Sequence, residues 1–330
     1  MAALKRNIDN HILKAYSLHE NAEGDSLSDL DISREIKSSN LAWVHLDADH
    51  KDTQNWLKKE CEYLDHIIIS GLLAEETRPR IEQIDDGIFL ILRCVNLNKD
   101  SDPEDMVSIR MWIDQHRIIT VQKRNVKSIN NVEKLITSGT IPKTSGAFLC
   151  LLISNIFKEM EPILASLDEI MDDLEESLIE MPDIDLRSKL VKIRKQAIVY
   201  RRYMIPQRDA LGILRNINLS WMTDIQKRTL QESHNHMLRY IEDLDAVRER
   251  SQIVKDELTS LLSDKLNKNM YILSVIAAIF LPLGFLTGLL GVNVGGIPGS
   301  QYPYSFYIFS GILVALVAVQ IILFKKLKWF

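Results

Sequence analysis

The sequence predicts an α/β domain on the cytoplasmic side of a membrane, followed by a long helical stalk and two membrane-spanning helices per chain. Three observations carry this. From Asn269 to Phe324 there is no Asp, Glu, Lys, Arg or His, a run of 56 residues, long enough for two bilayer crossings of roughly 20 residues each and a connection. Residues 1–145 mix the periods of strands and helices. No proline interrupts the stretch from Pro206 to Pro282, where apolar residues keep an approximate heptad.

Charge sharpens the division. All 45 acidic residues and 37 of the 40 basic ones lie in the first 268 residues, a net −8 for that part. A mildly acidic domain argues against a nucleic-acid partner, and the uncharged block excludes a purely cytosolic enzyme. No glycine-rich phosphate loop occurs, so no catalytic site and no resident cofactor are expected. Met1 to Glu20 lacks the apolar core of a secretory signal.

Within residues 1–145, Leu41–Asp47 and Gly87–Val95 read as strands. Met106–Asp114 alternates Val107, Ile109, Met111 and Ile113, then turns at Asp114-Gln-His116 into Arg117–Gln122, an antiparallel hairpin. Helices are expected over Thr53–Tyr63 and Val126–Ser138. Residues 146–268 form a helical hairpin and the stalk. Residues 147–180 carry nine acidic groups, Met181-Pro182-Asp183 breaks the helix, and Arg187–Arg208 carries eight basic groups and no acidic one. The two arms are expected to attract each other as a solvated hairpin, or the acidic arm to concentrate divalent cations, with Asp168, Asp172 and Glu176 as candidates. The third helix starts near Thr223-Asp224 and reaches Leu290, 67 residues or about 100 Å. Leu230, Met237, Ile241, Leu244, Leu258, Leu261 and Leu262 mark a stripe expected to be available to a neighbouring copy.

Cys61, Cys94 and Cys150 are far apart and read as small buried apolar residues. His234 and His236 lie two residues apart on a helix and point to different faces, a poor metal clamp.

The first crossing spans 269–290, an external loop 291–303, the second crossing 304–324, and a basic tail 325–330. Lys265, Lys268, Lys325, Lys326 and Lys328 place both ends in the cytoplasm by the positive-inside rule. Two helices cannot enclose a water-filled path, so passage of a polar solute would need an oligomer. Asn267, Met270, Leu273, Ser274, Ala277, Leu281, Gly284 and Gly288 form a seam near 3.5-residue spacing on the first crossing. Such a seam either packs two membrane helices or lines an axial pore, with Met270 and Leu281 as hydrophobic constrictions. The loop favours the pore. Gly291, Gly295, Gly296 and Gly299 with Pro298 make a flexible turn able to present the Asn293 amide and backbone carbonyls at its mouth.

The segment Tyr271-Ile-Leu-Ser-Val-Ile-Ala-Ala-Ile-Phe-Leu-Pro-Leu-Gly-Phe-Leu-Thr-Gly-Leu-Leu-Gly-Val-Asn293 resembles the pore-helix end of the CorA family of metal-ion transporters, which closes with Gly-Met-Asn. Here Val292 replaces the methionine. Gly-Val-Asn-Val-Gly-Gly-Ile-Pro, Glu76-Thr-Arg-Pro-Arg80, Leu92-Arg-Cys-Val-Asn96 and Arg194-Lys-Gln-Ala-Ile-Val-Tyr-Arg-Arg-Tyr-Met-Ile-Pro-Gln-Arg-Asp209 resemble the ZntB branch of that family, associated with zinc. The resemblance implies a funnel-shaped homopentamer in the inner membrane, a pore lined by the seam, and an entrance of Gly291, Val292 and Asn293 where a hydrated ion meets Asn293. Zinc is the implied cargo, with cadmium, nickel and cobalt as further candidates. The alternative is a magnesium/cobalt channel gated by cytoplasmic divalent cations, and a third reading is a membrane-anchored scaffold. No His, Cys or carboxylate lies in the uncharged block, so no dehydrating zinc site is expected there. Proton coupling, if present, would have to use water or the cytoplasmic funnel.

Overall fold

The computed structural model describes residues 11–18, 26–27, 29–75, 77–180, 183–291, 297, 299 and 301–326. They divide into two compact units, Met1–Lys255 and Asp256–Phe330.

The first unit is built on a six-stranded sheet. Its strands are β1 (Ile12–Ser17), β2 (Ala42–Asp47), β3 (Arg80–Ile84), β4 (Gly87–Cys94), β5 (Val107–Ile113) and β6 (Arg117–Gln122), in the order β1-β2-β6-β5-β4-β3. Only β2 and β6 run parallel; the other neighbours are antiparallel. The hairpin turn falls where the sequence expects it. The Asp114 carboxylate accepts from the backbone N–H of His116 at 3.0 Å and of Arg117 at 2.9 Å, which satisfies the donors of the turn.

Both faces of the sheet are covered, so β4 and β5 are almost continuously buried, Ser108 and Arg110 of β5 included. Helices α1 (Asp29–Ile36), α2 (Thr53–Glu60) and α3 (His66–Leu73) contribute Ile36, Leu57 and Leu72 to one layer, packed with Val44, Phe89, Trp112 and Val121 of the strands. On the other face Trp43 meets Phe148 with ring centroids 5.0 Å apart. Phe148 belongs to α5 (Ser145–Glu180), which is preceded by α4 (Lys127–Thr137).

Trp43 Nε1 donates to the Thr120 hydroxyl at 2.8 Å, and His45 Nδ1 lies 2.8 Å from the same oxygen. His45 is fully buried, and desolvation lowers its pKa to about 3. The folded protein therefore keeps it neutral at pH values where the unfolded chain takes up a proton. The stability this provides is complete above the ordinary histidine range and is lost as pH falls from about 6.5 toward 3, at about 1.4 kcal/mol per pH unit in the steep part. The melting temperature of the detergent-solubilised chain should drop between pH 6.5 and 4.5. His45→Asn should flatten that drop, and parallel pH profiles for the two proteins would refute this role.

Three long helices complete the unit: α5, α6 (Ile184–Leu214) and the start of α7 (Asp224–Leu290). The helix break predicted at Met181-Pro182-Asp183 falls largely outside the described residues, Asp183 alone being described; α5 ends at Glu180 and α6 begins at Ile184. Two expectations need correction. Among the described residues no ion pair joins the acidic arm to the basic arm. Arg250 of α7 bonds Asp168 at 2.8 Å, Glu175 at 2.8 Å and Asp172, while Arg201 of α6 pairs with Asp245 of α7 at 2.8 Å. The reason is that α5 and α6 meet their neighbours through apolar residues such as Leu167, Met171, Leu190 and Ile193, leaving the charges on the rims where α7 reaches them. Secondly, Leu230, Met237, Ile241 and Leu244 of the stripe are already buried within the first unit, where α5 and α6 supply partners, and Leu258 is buried as well. Only Leu261 and Leu262, half-buried, stay outside that packing.

Cys61 and Cys94 are buried, and Cys150 is half-buried, all as free thiols. Burial pushes the Cys61 thiol up to about 12 and that of Cys150 to about 11, so neither supplies a thiolate at neutral pH.

Candidate functional site

In the second unit α7 continues to Leu290, and α8 (Ser305–Lys326) follows. The most apolar 18-residue stretches of these helices have mean hydropathies of 2.3 and 2.5, and only 6% and 0% of those stretches is buried. A core helix of a soluble protein would be mostly covered; these present apolar faces that only lipid or other subunits can shield. This is a membrane protein.

Val275, Ile279, Leu283 and Leu286 recur every three or four residues and are the shielded side of α7. At 100° per residue, the seam of Met270, Ser274, Ala277, Leu281, Gly284 and Gly288 lies roughly half a turn away. Met270, Leu273 and Leu281 are 66%, 68% and 72% exposed, and Asn267 is exposed as well. A Cβ added at Gly284 or Gly288 would meet nothing within 4 Å. The small residues are therefore not explained by close approach of α8. Gly284 also borders an apolar groove of about 650 Å³ with Phe280, Thr287 and Val317.

The hydroxyls of the span are satisfied by their own helix. Ser274 donates to the Met270 carbonyl at 2.9 Å, and Thr287 to the Leu283 carbonyl at 2.9 Å. With its proton engaged, the Ser274 oxygen can offer only lone pairs outward, which suits the water shell of a cation.

Pro282 sits inside α7 and has no N–H, so the carbonyl of Ala278 loses its helical donor. The side-chain amide of Gln320 on α8 replaces it, donating to the Ala278 oxygen at 3.2 Å. Gln320→Leu should weaken the α7–α8 pairing by roughly 1 kcal/mol, seen as a lower melting temperature in detergent. Pro282→Ala restores the missing donor, so the same substitution should then cost almost nothing. Equal costs in both backgrounds would refute the coupling.

At the end of α7 the Gly291 N–H bonds the Thr287 carbonyl at 2.9 Å. A Cβ at residue 291 would lie 2.7 Å from that oxygen, so the close backbone approach requires glycine. Val292, Asn293, Gly295, Gly296 and Pro298 of the expected entrance lie outside the described residues. Among the described residues, no three His, Cys, Asp or Glu side chains converge as a metal site.

The three sequence motifs of the first unit converge on one side chain. Arg93 of β4 donates through Nε and Nη2 to the Thr77 carbonyl, its backbone N–H donates to Gln207 Oε1 at 2.6 Å, and its guanidinium lies 4.6 Å from the Tyr203 ring centroid. These motifs build a clamp between sheet and α6.

The family described as CorA-like Mg2+ transporter protein matches residues 38–326. The chain belongs to the CorA family. The zinc transport protein ZntB of Yersinia enterocolitica is 37% identical over 287 residues, 87% of each chain. The structure of the full-length CmaX protein superposes with a TM-score of 0.83 at 28% identity, covering 98% of this chain and 100% of that one. The CorA magnesium transporter from Methanocaldococcus jannaschii shares the fold, with a TM-score of 0.79 at 20% identity over 96% of this chain and 98% of its own. The α/β unit, the long helix and the pair of membrane helices expected from the sequence are thus the CorA architecture. Gln320, Arg250 and the clamp role of Arg93 escaped the sequence, since each acts through a partner remote along the chain.

Proposed function

We propose that this CorA-family chain transports divalent metal ions with zinc as its main cargo, through an axial pore formed by α7 of five copies in the inner membrane. Both termini lie in the cytoplasm. The observation that carries the reading is the seam of α7: small and weakly polar residues roughly half a turn from its shielded side, with nothing within 4 Å of a Cβ at Gly284 or Gly288. Similarity to a zinc transport protein, at 37% identity over 87% of both chains, supports zinc.

The ion keeps much of its water. Zinc would be stripped only by His, Cys or carboxylate ligands, and Asn269 to Phe324 holds none. Neutral oxygens of Ser274, the Asn293 amide and backbone carbonyls instead receive a hydrated cation. Proton coupling, if present, would run through water or the cytoplasmic part, because no side chain in the block titrates near neutrality.

The test is zinc entry into liposomes followed with an internal dye, with and without an inward proton gradient and with excess magnesium. Flux that survives magnesium and rises with the gradient supports a proton-coupled zinc transporter. Abolition by magnesium and indifference to pH would make this a magnesium-type channel, and absence of any ion flux would leave only the scaffold.

A further inference from the structure

A second candidate site lies in the α/β unit. Arg93, Arg110, Lys123, Arg124, Glu75 and Asp105 line a polar cleft of about 240 Å³. Four cations thus face two carboxylates. Asp105 pairs with Arg124 at 2.5 Å, and Lys123 is shared between Glu75 at 3.5 Å and Asp49 at 3.2 Å. Among the described residues neither Arg93 nor Arg110 has an ion-pair partner.

Arg110 is the anomaly. It stands on β5, 1% exposed, and Nη2 donates to the Ala74 carbonyl at 2.6 Å, while Nε and Nη1 have no hydrogen-bond partner. A buried charge without a counter-ion costs several kcal/mol, and native structures rarely leave such donors unmet. Burial, and then the neighbouring Arg93, pull its pKa down, against a smaller opposing pull from Asp49. The Arg93 guanidinium cannot relieve it, being a like charge with no acceptor, and its own donors go to the Thr77 and Met106 carbonyls.

The cleft is smaller than the ~300–1,000 Å³ that drug-sized ligands occupy, and the unmet groups are all donors. A compact ion that only accepts, and carries enough charge to offset the surplus, fits both facts. We propose that this cleft binds a small doubly charged oxyanion of the phosphate class, with Arg110 beneath it and Lys123 and Arg124 at its mouth. The more exposed Lys123 and Arg124 can rearrange from their carboxylates to the ion, whereas Arg110 is fixed in the sheet.

The test uses the full chain in detergent, titrated calorimetrically with inorganic phosphate and with sulfate at an ionic strength held constant with sodium chloride. Saturable binding of either dianion is expected. Arg110→Gln should weaken it about tenfold or more and Lys123→Gln, at a partly exposed position, should weaken it measurably while leaving the fold intact. Phosphate should raise the melting temperature of the wild type and not that of Arg110→Gln. Without phosphate the Arg110→Gln protein should melt no lower than the wild type, because an uncompensated charge has been removed. The proposal is overturned by absent dianion binding, by chloride competing as well as sulfate, or by variants that bind like the wild type. It is equally overturned if Arg110→Gln dissociates the assembly and phosphate never binds, which would place a neighbouring subunit's carboxylate against Arg110. None of these readouts depends on zinc transport.

Discussion

Zinc flux into liposomes should fall to the background of empty vesicles when Gly288 is replaced by phenylalanine, and Gly284→Phe should act in the same direction. The protomer has room for both side chains, since nothing lies within 4 Å of a Cβ at either position, so each variant should fold and insert. What the new ring meets is the space on the far side of α7 from its shielded face. In the axial pore proposed for five copies of α7, such rings would exclude water and a hydrated divalent ion with it. The complementary change, Leu281→Ser, widens and wets a hydrophobic constriction and should raise flux. Undiminished zinc entry in Gly288→Phe, with assembly verified by size-exclusion chromatography, would remove the seam from the pathway.

The second large effect is expected at Asn293. Alanine there deletes an amide that offers one oxygen acceptor and two N–H donors to the first hydration shell of an arriving ion. Nothing else among the side chains of residues 291–299 can replace it: the remainder are glycine, valine, isoleucine and proline. Asn293→Ala should therefore abolish zinc flux while size-exclusion profiles and melting temperature stay near the wild type. Asn293→Gln, which keeps the amide but moves it outward by one methylene, should retain part of the flux. Wild-type flux in the alanine variant would take the entrance role away from Asn293.

The long helix was legible from end to end. Its start follows Thr223, whose hydroxyl accepts from the Gln226 N–H, and its end is set by the glycine that the backbone demands at residue 291. The hairpin β5–β6 was equally plain, because alternation and an Asp-bearing turn coincide. By contrast β3 is an edge strand with mostly exposed, polar residues, so it carries no burial pattern to detect. The apolar run of α3, His66–Leu73, is as compatible with a buried strand as with a short helix. At the site, the period of the seam could be read, yet not its direction relative to α8, which depends on Val275, Ile279 and the Gln320 contact. Charge runs misled for a related reason. Composition told that α5 is acidic and α6 basic, but Arg250, one residue in a helix of mixed sign, decides where the carboxylates are held.

The bond from Gln320 to the Ala278 carbonyl joins α8 to the backbone position of α7 where Pro282 leaves its ladder open. A helix with an unfilled carbonyl can straighten or fold at that point with little resistance, and an amide that fills the gap stiffens it. Under the proposed arrangement, the outer ring would then act as a set of five splints. Each would adjust the curvature of an inner helix without touching the ion. Conductance would then respond from the lipid side to bilayer thickness, through a joint that nothing travelling along the axis touches.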